Sequence, residues 1–358
     1  MIIPSRIAHA IGRVAALAVA VTLAFPAFAD DGRYAVTKLV ADLPGVAAKM
    51  DPNLVNGWGI AMLATSPIWV SNNGSGTSTL YNGSGTAISP PSPVIIPAAS
   101  GAGQGVPTGM TSNPSTNDFL IAGAGTAARF LWATEDGGIA AWAGGAAATI
   151  KFAAQDGASY KGIALAGDGA HFRLYATDFH NGKIDVLDNA FVPTSVAGGF
   201  VDRNIPAGFA PFNIMNLQGN LYVSYAKQQP GSDDEAHGVG LGFVDVFDAD
   251  GFLLARVATR GKLNAPWGMA IAPAGFGAFS NHLLVGNFGD GTINAYDLKN
   301  FTPAGQLRGS NGHVLVIDGL WGIAFGNGFQ QQPTDTLFFA AGPDDENHGL
   351  YGRIDPAP

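Results

Sequence analysis

The sequence has 358 residues, of which 47% are hydrophobic and only 13% charged, and its net charge is −9 at neutral pH. A chain this acidic lacks the basic surface that nucleic acid binding requires, and an anionic membrane would repel it. It contains no cysteine, which excludes disulfides, thiolate metal ligands and a cysteine nucleophile. Its 50 glycines indicate many tight turns.

The first 29 residues have the pattern of a secretory signal peptide. Arg6 and Arg13 give a basic start, residues 14–25 form a short apolar run, and Ala-Phe-Ala follows at 27–29, where an exporting peptidase reads small residues. The run is too short to span a bilayer, which takes about 20 apolar residues. We therefore expect a signal peptide at 1–29, a periplasmic or extracellular mature protein, and no membrane span.

A short motif recurs six times along the rest of the chain. Asn-Gly-Trp-Gly-Ile-Ala at 56–61 returns as Ala-Pro-Trp-Gly-Met-Ala at 265–270 and as Gly-Leu-Trp-Gly-Ile-Ala at 319–324, with weaker copies between. The aligned positions are 59, 109, 162, 213, 268 and 322. Most units contain about four short strands, some with clear alternation, as in Lys-Ile-Asp-Val-Leu-Asp at 183–188. Repeats of this length and content predict the blades of a β-propeller.

The last unit indicates how the ring closes. It has strands near 321–325, 336–340 and 349–354 but lacks a fourth, and residues 34–40 supply a spare strand. Pairing the two would leave no open edge. We therefore predict an all-β, six-bladed propeller formed by residues 30–358 as a single domain, with its ring closed by the N-terminal strand. A solenoid, whose repeats are usually shorter, is the less favoured alternative.

Candidate site residues lie in the loops between the second and third strands of each unit. These loops emerge on one face of a propeller, near the mouth of its central channel. Asp-Asp-Glu-x-His-Gly occurs at 233–238 and again at 344–349, and a related loop with a histidine lies at 178–182. Imidazole and carboxylate groups are both metal ligands and general acids or bases. The alternative is structural, since Asp, Asn and Gly are also ordinary turn residues that could brace each loop.

The loops, together with Lys161 on the first strand of the third unit, give three sets of candidates. The candidate catalytic groups are His180, His237, His348 and Lys161. The candidate metal ligands are His180, His237, His348, Asp178 and Asp345. The candidate ligand-binding residues are Asp178, Glu135, Asp234, Asp345 and Asn287.

The first strand of each unit leaves two further alternatives open. Lys161 stands where other units have Trp, Phe or Thr, and with so many acids nearby a salt bridge is favoured over a catalytic amine. The repeated tryptophans are interpreted as packing between blades in preference to a ligand platform. Asn213 replaces the repeated glycine in the fourth unit and is expected to kink its strand.

Longer strings resemble a known protein family. Examples are Tyr-Ala-Thr-Asp-Phe-His-Asn-Gly-Lys at 175–183 and Leu-Leu-Val-Gly-Asn-Phe-Gly-Asp-Gly at 283–291. They are similar to an exported bacterial propeller family related to NHL-repeat proteins, which is conserved and largely uncharacterised. The resemblance covers nearly all of the chain after residue 29. It implies the propeller fold and no particular activity.

Two classes of function remain open, and the sequence does not decide whether the protein is an enzyme. In the first, a divalent cation (Ca²⁺, Mg²⁺ or Zn²⁺) held by the loops assists a hydrolase or lyase that acts on a small molecule at the channel mouth. In the second, a non-catalytic scaffold presents the same face to a glycan or a protein. Loop residues that converge on one point would favour the enzyme. A monomer is expected in both cases.

Overall fold

A computed structural model of the protein describes Met1 and residues 32–121, 125–167 and 169–357. In this part of the chain the regular structure is almost entirely β-strand, with one short 3₁₀ helix, Gly277–Phe279. The predicted signal peptide falls, apart from Met1, outside the described residues. Within them, no helix is long and apolar enough to cross a membrane.

The strands form six antiparallel blades in chain order, which confirms the predicted six-bladed propeller. Blade 1 contains Gly57–Ala61, Ile68–Asn72, Thr77–Tyr81 and Val94–Ile95. Blade 2 contains Pro107–Ser112, Phe130–Thr134, Gly138–Trp142 and Thr149–Ala153. Blade 3 contains Tyr160–Gly167, Phe172–Asp178, Lys183–Leu187 and Pro193–Thr194. Blade 4 contains Phe209–Leu217, Asn220–Gln228, Gly242–Phe247 and Leu253–Thr259, and blade 5 contains Pro266–Ile271, His282–Asn287, Ile293–Asp297 and Pro303–Gln306.

The sixth blade is completed from the other end of the chain. Its own strands are Leu320–Phe325, Leu337–Ala341 and Leu350–Pro356, and Arg33–Ala41 adds antiparallel to the last of them. This confirms the predicted closing strand. The remaining short strands are Lys49–Met50 and Arg308–Gly309 beside the closing strand, Leu120–Ile121 paired with Thr126–Ala127, and Glu235–Ala236 in blade 4.

The first strands of the blades crowd around the axis, which explains the repeated glycine. A Cβ on Gly59 would lie 2.8 Å from the carbonyl oxygen of Thr108 in the next blade. Asn213 takes this place in blade 4, and its Nδ2 donates to the carbonyl oxygen of Trp267, 2.8 Å away in blade 5. The strand register does shift at Asn213, but it shifts near the matching point of all six first strands, so the irregularity belongs to the repeat.

The third strands of blades 1, 2, 4 and 5 are buried on both faces. In blade 5, Ile293 and Ala295 pack into the core shared with blade 6, while Tyr296 packs into the core shared with blade 4. Each blade lies face to face with two neighbours, so alternation along a strand assigns residues to one interface or the other. The loops that carry most of the candidate residues emerge on one face of the ring, because the second strand of each blade ends there.

Candidate functional site

Six aromatic rings fill the axis near the start of the first strands. We call them the axial plug: Trp58, Phe179, Phe212, Trp267, Phe288 and Trp321. The rings of Trp58 and Trp321 stack with centroids 3.5 Å apart, and Phe288 stacks on Trp321 at 3.7 Å. The repeated tryptophans therefore pack between blades, which is the interpretation that the sequence favoured over a ligand platform.

The axis offers little room among the first strands. The cavity there measures about 20 Å³, which holds little more than one water molecule. A small molecule therefore does not fit among the first strands, and the polar groups open to it are those at the mouth of the axis. The mouth is bounded by the loops before the first strands and by the loops between the second and third strands, because strand direction brings both to one face.

The polar residues next to the plug form what we call the mouth cluster: Asn56, Asn73, Glu135, Lys161, Glu235 and Glu346. Its members come from blades 1, 2, 3, 4 and 6. All lie in loops except Lys161 on the first strand of blade 3 and Glu235 on a two-residue strand. Asn56, Asn73, Lys161 and Glu235 are buried, with exposures of 3%, 9%, 1% and 8%.

Lys161 is the buried cation of the cluster. Its ammonium group donates to Glu135 Oε1 and lies 5.4 Å from the centroid of the Trp58 ring. Burial alone would lower the pKa of Lys161, but the Glu135 carboxylate, with Glu235 and Asp234 beyond it, raises the pKa above its ordinary value. Lys161 therefore acts as a fixed positive charge and not as a free amine, which agrees with the salt bridge that the sequence favoured.

A chain of hydrogen bonds links Glu135 to Glu346. Asn73 Nδ2 donates to Glu135 Oε2 at 2.7 Å, and Asn56 Nδ2 donates to Asn73 Oδ1 at 3.4 Å and to Glu346 Oε2 at 2.5 Å. Asn56 is itself oriented by the indole of Trp321, which donates to its Oδ1 at 3.2 Å. The plug thus positions the asparagine that holds Glu346.

Glu346 has the most perturbed carboxyl group of the mouth. Burial raises its pKa, the hydrogen bond from Asn56 opposes that rise, and the carboxylates of Glu235 and Glu135 raise it further, to about 7. Lys161 offsets part of this effect. The carboxyl groups of blades 2, 4 and 6 therefore lie within electrostatic reach of one another, and Glu346 exchanges a proton near neutral pH.

An unusual backbone conformation presents Glu346 to the mouth. Asp344, Asp345 and Glu346 have φ angles of 59°, 48° and 66°, in the left-handed region. That conformation costs a residue other than glycine about 1–2 kcal/mol, and Asp is among the residues that tolerate it best. Three such residues in succession form a strained turn, of the kind that functional sites often hold.

The three candidate histidines each pair with a different carboxylate. His180 Nδ1 lies 2.5 Å from Asp233, His237 Nε2 lies 3.2 Å from Glu235, and His348 Nδ1 lies 2.8 Å from Asp42. His180 and Asp233 are about half exposed, and Asp42 belongs to the segment that follows the closing strand. Only His237 touches the mouth cluster, and Glu235 raises its pKa.

Two of the candidate ligand-binding residues brace their own loops. Asp178 is fully buried and accepts from the backbone N–H of Asn181 at 3.1 Å. Asn287 is also fully buried, accepts from the N–H of Asn264 at 3.1 Å, and donates to the carbonyl oxygen of Lys262 at 2.8 Å. Both side chains make hydrogen bonds that stabilise their own loops. For these two residues the structure therefore agrees with the structural alternative, in which the polar residues brace turns.

The other candidates differ in how near they are to the cluster. Glu135 belongs to it, while Asp234 and Asp345 are exposed at its edge. Asp234 accepts from Ser232 Oγ at 2.7 Å, and Asp345 lies within electrostatic reach of His237. Among the described residues, no group of three or more His, Asp or Glu side chains is arranged to hold a metal ion, so the predicted ligand set does not gather around one point.

The sequence-based candidates include Glu135 and Lys161 but leave out the other four residues of the mouth cluster. Glu235 and Glu346 occupy the same position in the two Asp-Asp-Glu-x-His-Gly copies, yet neither was a candidate. Glu135 supplies the third carboxyl group from the corresponding loop of blade 2. The signal that could have found them is a glutamate in the matching loop of every second blade.

No family model matches the chain. Uncharacterized protein R648 of Acanthamoeba polyphaga mimivirus is 32% identical over 332 residues, covering 89% of this chain and 79% of the viral protein. Uncharacterized protein L690 of the same virus is 31% identical over 345 residues, covering 89% and 85%.

Solved structures with the same fold include enzymes. A streptogramin B lyase aligns with a TM-score of 0.55 at 11% identity, over 90% of this chain and 98% of the lyase. The soluble aldose sugar dehydrogenase of Escherichia coli aligns with a TM-score of 0.54 at 14% identity, over 90% and 100%. Identities this low establish the propeller fold alone.

Proposed function

This chain belongs to the same protein family as the mimivirus proteins R648 and L690, and on that premise we propose that its mouth cluster is the active site of a small-molecule hydrolase or lyase that works by acid–base catalysis. The observation that carries the proposal is the Glu346 carboxyl group, whose pKa is raised to about 7 beside a second carboxylate held by a buried lysine. Two carboxyl groups in contrasting environments are what such catalysis requires.

The two glutamates would have different roles. Glu346, whose pKa is raised to about 7, would donate a proton to a leaving oxygen or remove one from a carbon or a water molecule. Glu135, fixed by Lys161 and Asn73, would orient the substrate by accepting its hydrogen bonds. The exposed acids around the mouth favour a neutral or cationic molecule with hydroxyl or amine groups over an anion.

The proposal does not depend on a bound metal. Catalysis by Ca²⁺, Mg²⁺ or Zn²⁺, the cofactor considered from the sequence, would need ligands that the described residues do not gather at one point. A non-catalytic scaffold for a glycan or protein is the second candidate. The exposed pair His180–Asp233, away from Glu346, favours it, because dispersed rim groups suit a binding face.

Turnover of a substrate panel tests the catalytic proposal. The panel contains lactones and cyclic esters, including a streptogramin B because a structural neighbour is a lyase of that name, assayed with and without a chelator. General acid–base catalysis contributes about 10²–10⁴-fold. Glu346→Gln should lower kcat by that factor while leaving substrate affinity nearly unchanged. His180→Gln, at the exposed rim pair, is the matched control and should retain full turnover.

Each result of this test has a definite meaning. Turnover that persists in Glu346→Gln would overturn the assigned role. Turnover that the chelator abolishes would favour the metal-assisted mechanism. Binding at the mouth without turnover of any compound would favour the scaffold.

Export and assembly form a separate part of the proposal. We propose that residues 1–29 are removed as a signal peptide, that the mature protein is a single-domain monomer, and that it works in the periplasm or outside the cell. The support is the basic start, short apolar run and small-residue site. N-terminal sequencing of the exported protein should begin at Asp30, and light scattering should give the mass of one mature chain. A protein that keeps its first 29 residues would contradict export.

A further inference from the structure

The loop that carries Glu346 is held by a segment from the opposite end of the chain. Asp42, the first residue after the closing strand, accepts from the backbone N–H of Gly349 at 3.0 Å, and its other carboxylate oxygen lies 2.8 Å from His348 Nδ1. The Asp42 side chain is only 10% exposed, so it is packed closely against the loop. The chemistry proposed for the mouth uses neither of these contacts.

The loop itself is a tight turn that is hydrogen-bonded internally. The backbone N–H of Glu346 donates to the carbonyl oxygen of Gly342, and that of His348 donates to the carbonyl oxygen of Pro343, both at 3.2 Å. A turn braced in this way moves as one unit, because its backbone groups are already paired with one another. Contacts at its end therefore set the direction in which the Glu346 side chain points.

The end of the turn is also joined to the asparagine that holds Glu346. The backbone N–H of Asn56 donates to the carbonyl oxygen of His348 at 3.0 Å, while its side-chain Nδ2 donates to Glu346 Oε2 at 2.5 Å. Gly349 lies so close to Leu54 that a Cβ on it would be 1.8 Å from the Leu54 carbonyl oxygen. A displacement of His348 would therefore separate the turn from Asn56 and break the contact with Glu346.

Glutamate is rare in this chain, and every glutamate belongs to the mouth cluster. Of the 27 acidic residues only three are glutamates, namely Glu135, Glu235 and Glu346. Glutamate carries its carboxyl group one methylene further from the backbone than aspartate does, and it has more rotamer freedom to lose when it is held in place. The position of such a carboxyl group depends on how firmly its turn is fixed.

We propose that Asp42 is a positioning residue for the acid at the mouth, and that docking of the N-terminal strand therefore completes the site as well as the ring. Asp42 holds His348 and Gly349 so that the turn presents Glu346 to Asn56. The inference rests on the proposed function, since it concerns the same acid. It adds that the segment that closes the ring also sets this acid.

NMR titration of the protein with ¹³C-labelled glutamate carboxyl groups tests the proposal, because this label reports on the mouth alone. Asp42→Ala removes both contacts. The midpoint of Glu346, assigned by its loss in Glu346→Gln, should fall from about 7 by at least about one pH unit, because a loosened turn exposes the carboxyl group to water. Glu235, Glu135 and Lys161, the charged groups that act on Glu346, are the same in both proteins.

Two further variants separate positioning from general loosening. Asp42→Asn keeps an acceptor for Gly349 and should hold the midpoint closer to 7 than Asp42→Ala does. Asp188→Ala also removes a carboxylate that accepts from two backbone N–H groups, each at 2.9 Å, but in a hairpin on the opposite face of blade 3, and it should change nothing. If Asp42→Ala does not fold by circular dichroism, His348→Ala, which leaves the bond to Gly349, replaces it and should give a smaller fall.

The results separate this proposal from the catalytic one. An unchanged Glu346 midpoint in the folded variant would overturn the positioning role, and so would an equal fall in Asp188→Ala. A lowered midpoint in a protein that turns over no compound would support the role of Asp42 and contradict catalysis at the mouth. Where a substrate is turned over, the pH profile of kcat should shift in Asp42→Ala by the same amount as the midpoint.

Discussion

At the scale of single residues, Lys161 balances the negative charge of the mouth. Its side chain is 2% exposed and that of Glu135 is 28% exposed. We predict that Lys161→Met, which keeps the length of the stem, lowers the free energy of unfolding by about 3 kcal/mol at about pH 8, because it leaves partly buried carboxylates without their cation. Urea unfolding measures the loss.

The same substitution carries its own controls. The loss should shrink at about pH 5, where Glu346 is protonated, and Lys161→Met/Glu135→Gln should recover most of it, because the variant is then neutral at both positions. Lys299→Met, at an exposed site, should stay within about 0.5 kcal/mol of the native protein. A loss that is independent of pH and of Glu135 would indicate a packing defect instead of a charge effect.

Glu346 predicts how stability depends on pH. Its pKa is raised from 4.5 to about 7 in the folded protein, so the folded state binds more protons than the unfolded state between these values. The free energy of unfolding therefore falls as pH rises through that window, by about 3 kcal/mol for this group at about 1.4 kcal/mol per pKa unit. Glu346→Gln should remove this part of the dependence.

The measurement is the difference in unfolding free energy between Glu346→Gln and the native protein. Relative to the native protein, the variant should become more stable as the pH rises from about 4 to about 8. Asp245, whose pKa burial also raises to about 7, is unchanged in both proteins and cancels in the comparison. A difference that does not vary with pH would show that the folded-state pKa of Glu346 is ordinary.

These residues also mark how far the sequence could predict the site. The repeated loops pointed to the face on which the mouth cluster lies, and the neighbouring acids favoured the salt bridge that Lys161 forms with Glu135. Glu346 was not among the candidates, because the backbone turn at Asp344–Glu346 decides which of its side chains faces the axis. Positive φ angles at three residues that are not glycine are set by the surrounding fold and leave no pattern in the sequence.

At the scale of elements, Tyr34 anchors the closing strand to the neighbouring blade. It is 1% exposed, its ring lies 4.8 Å from that of Phe276, and its hydroxyl donates to the Phe276 carbonyl oxygen at 3.1 Å. We predict that Tyr34→Ala costs about 3–5 kcal/mol, in the range of large aromatic truncations. Tyr34→Phe, which loses only the hydrogen bonds, should cost about 1 kcal/mol.

The matched control lies two residues further along the same strand. Val36 is 40% exposed, so Val36→Ala should change the unfolding free energy by no more than about 0.5 kcal/mol. Equal losses for Tyr34→Ala and Val36→Ala in urea unfolding would mean that the strand contributes through its backbone ladder and not through this anchor.

Most strands could be predicted because hydrophobic alternation and turn residues define them locally. The closing strand was predicted at 34–40 and spans Arg33–Ala41. The hairpin of Leu120–Ile121 and Thr126–Ala127 was missed, since strands of two residues carry too little pattern to detect. Alternation is typical of half-buried strands, but packing between two blades buries both faces of the third strands in blades 1, 2, 4 and 5.

At the scale of the whole molecule, the constant spacing of the motif was enough to predict six blades and a ring. The spacing could not predict with which side chains the acids of the third strands pair, as Asp185 does with Lys183 and Asp245 with Arg256. Such pairings depend on which side chains meet in the folded protein, and a repeat alignment from a single sequence lists residues without their contacts.

Ring closure also makes the stability of the whole molecule depend on one terminal strand. The strand pairs with Leu350–Pro356 over seven residue pairs and, with Tyr34, joins the core shared by blades 5 and 6. A chain that begins at Asp42 would expose the edge of blade 6 and part of that core. We predict that this shortened protein unfolds at a lower urea concentration and tends to associate through the exposed edge.

A peptide of residues 32–41 should restore the ring from outside. A ligand that binds only the folded state stabilises it by about 2.7 kcal/mol at 100 times its dissociation constant, so the midpoint should rise with peptide concentration. The same peptide with Tyr34→Ala should restore less, because it keeps the backbone ladder but lacks the anchor. If the shortened chain unfolded at the same midpoint as the full protein, the first five blades and the three-stranded sixth would be stable unaided, and the closing strand would not hold the ring together.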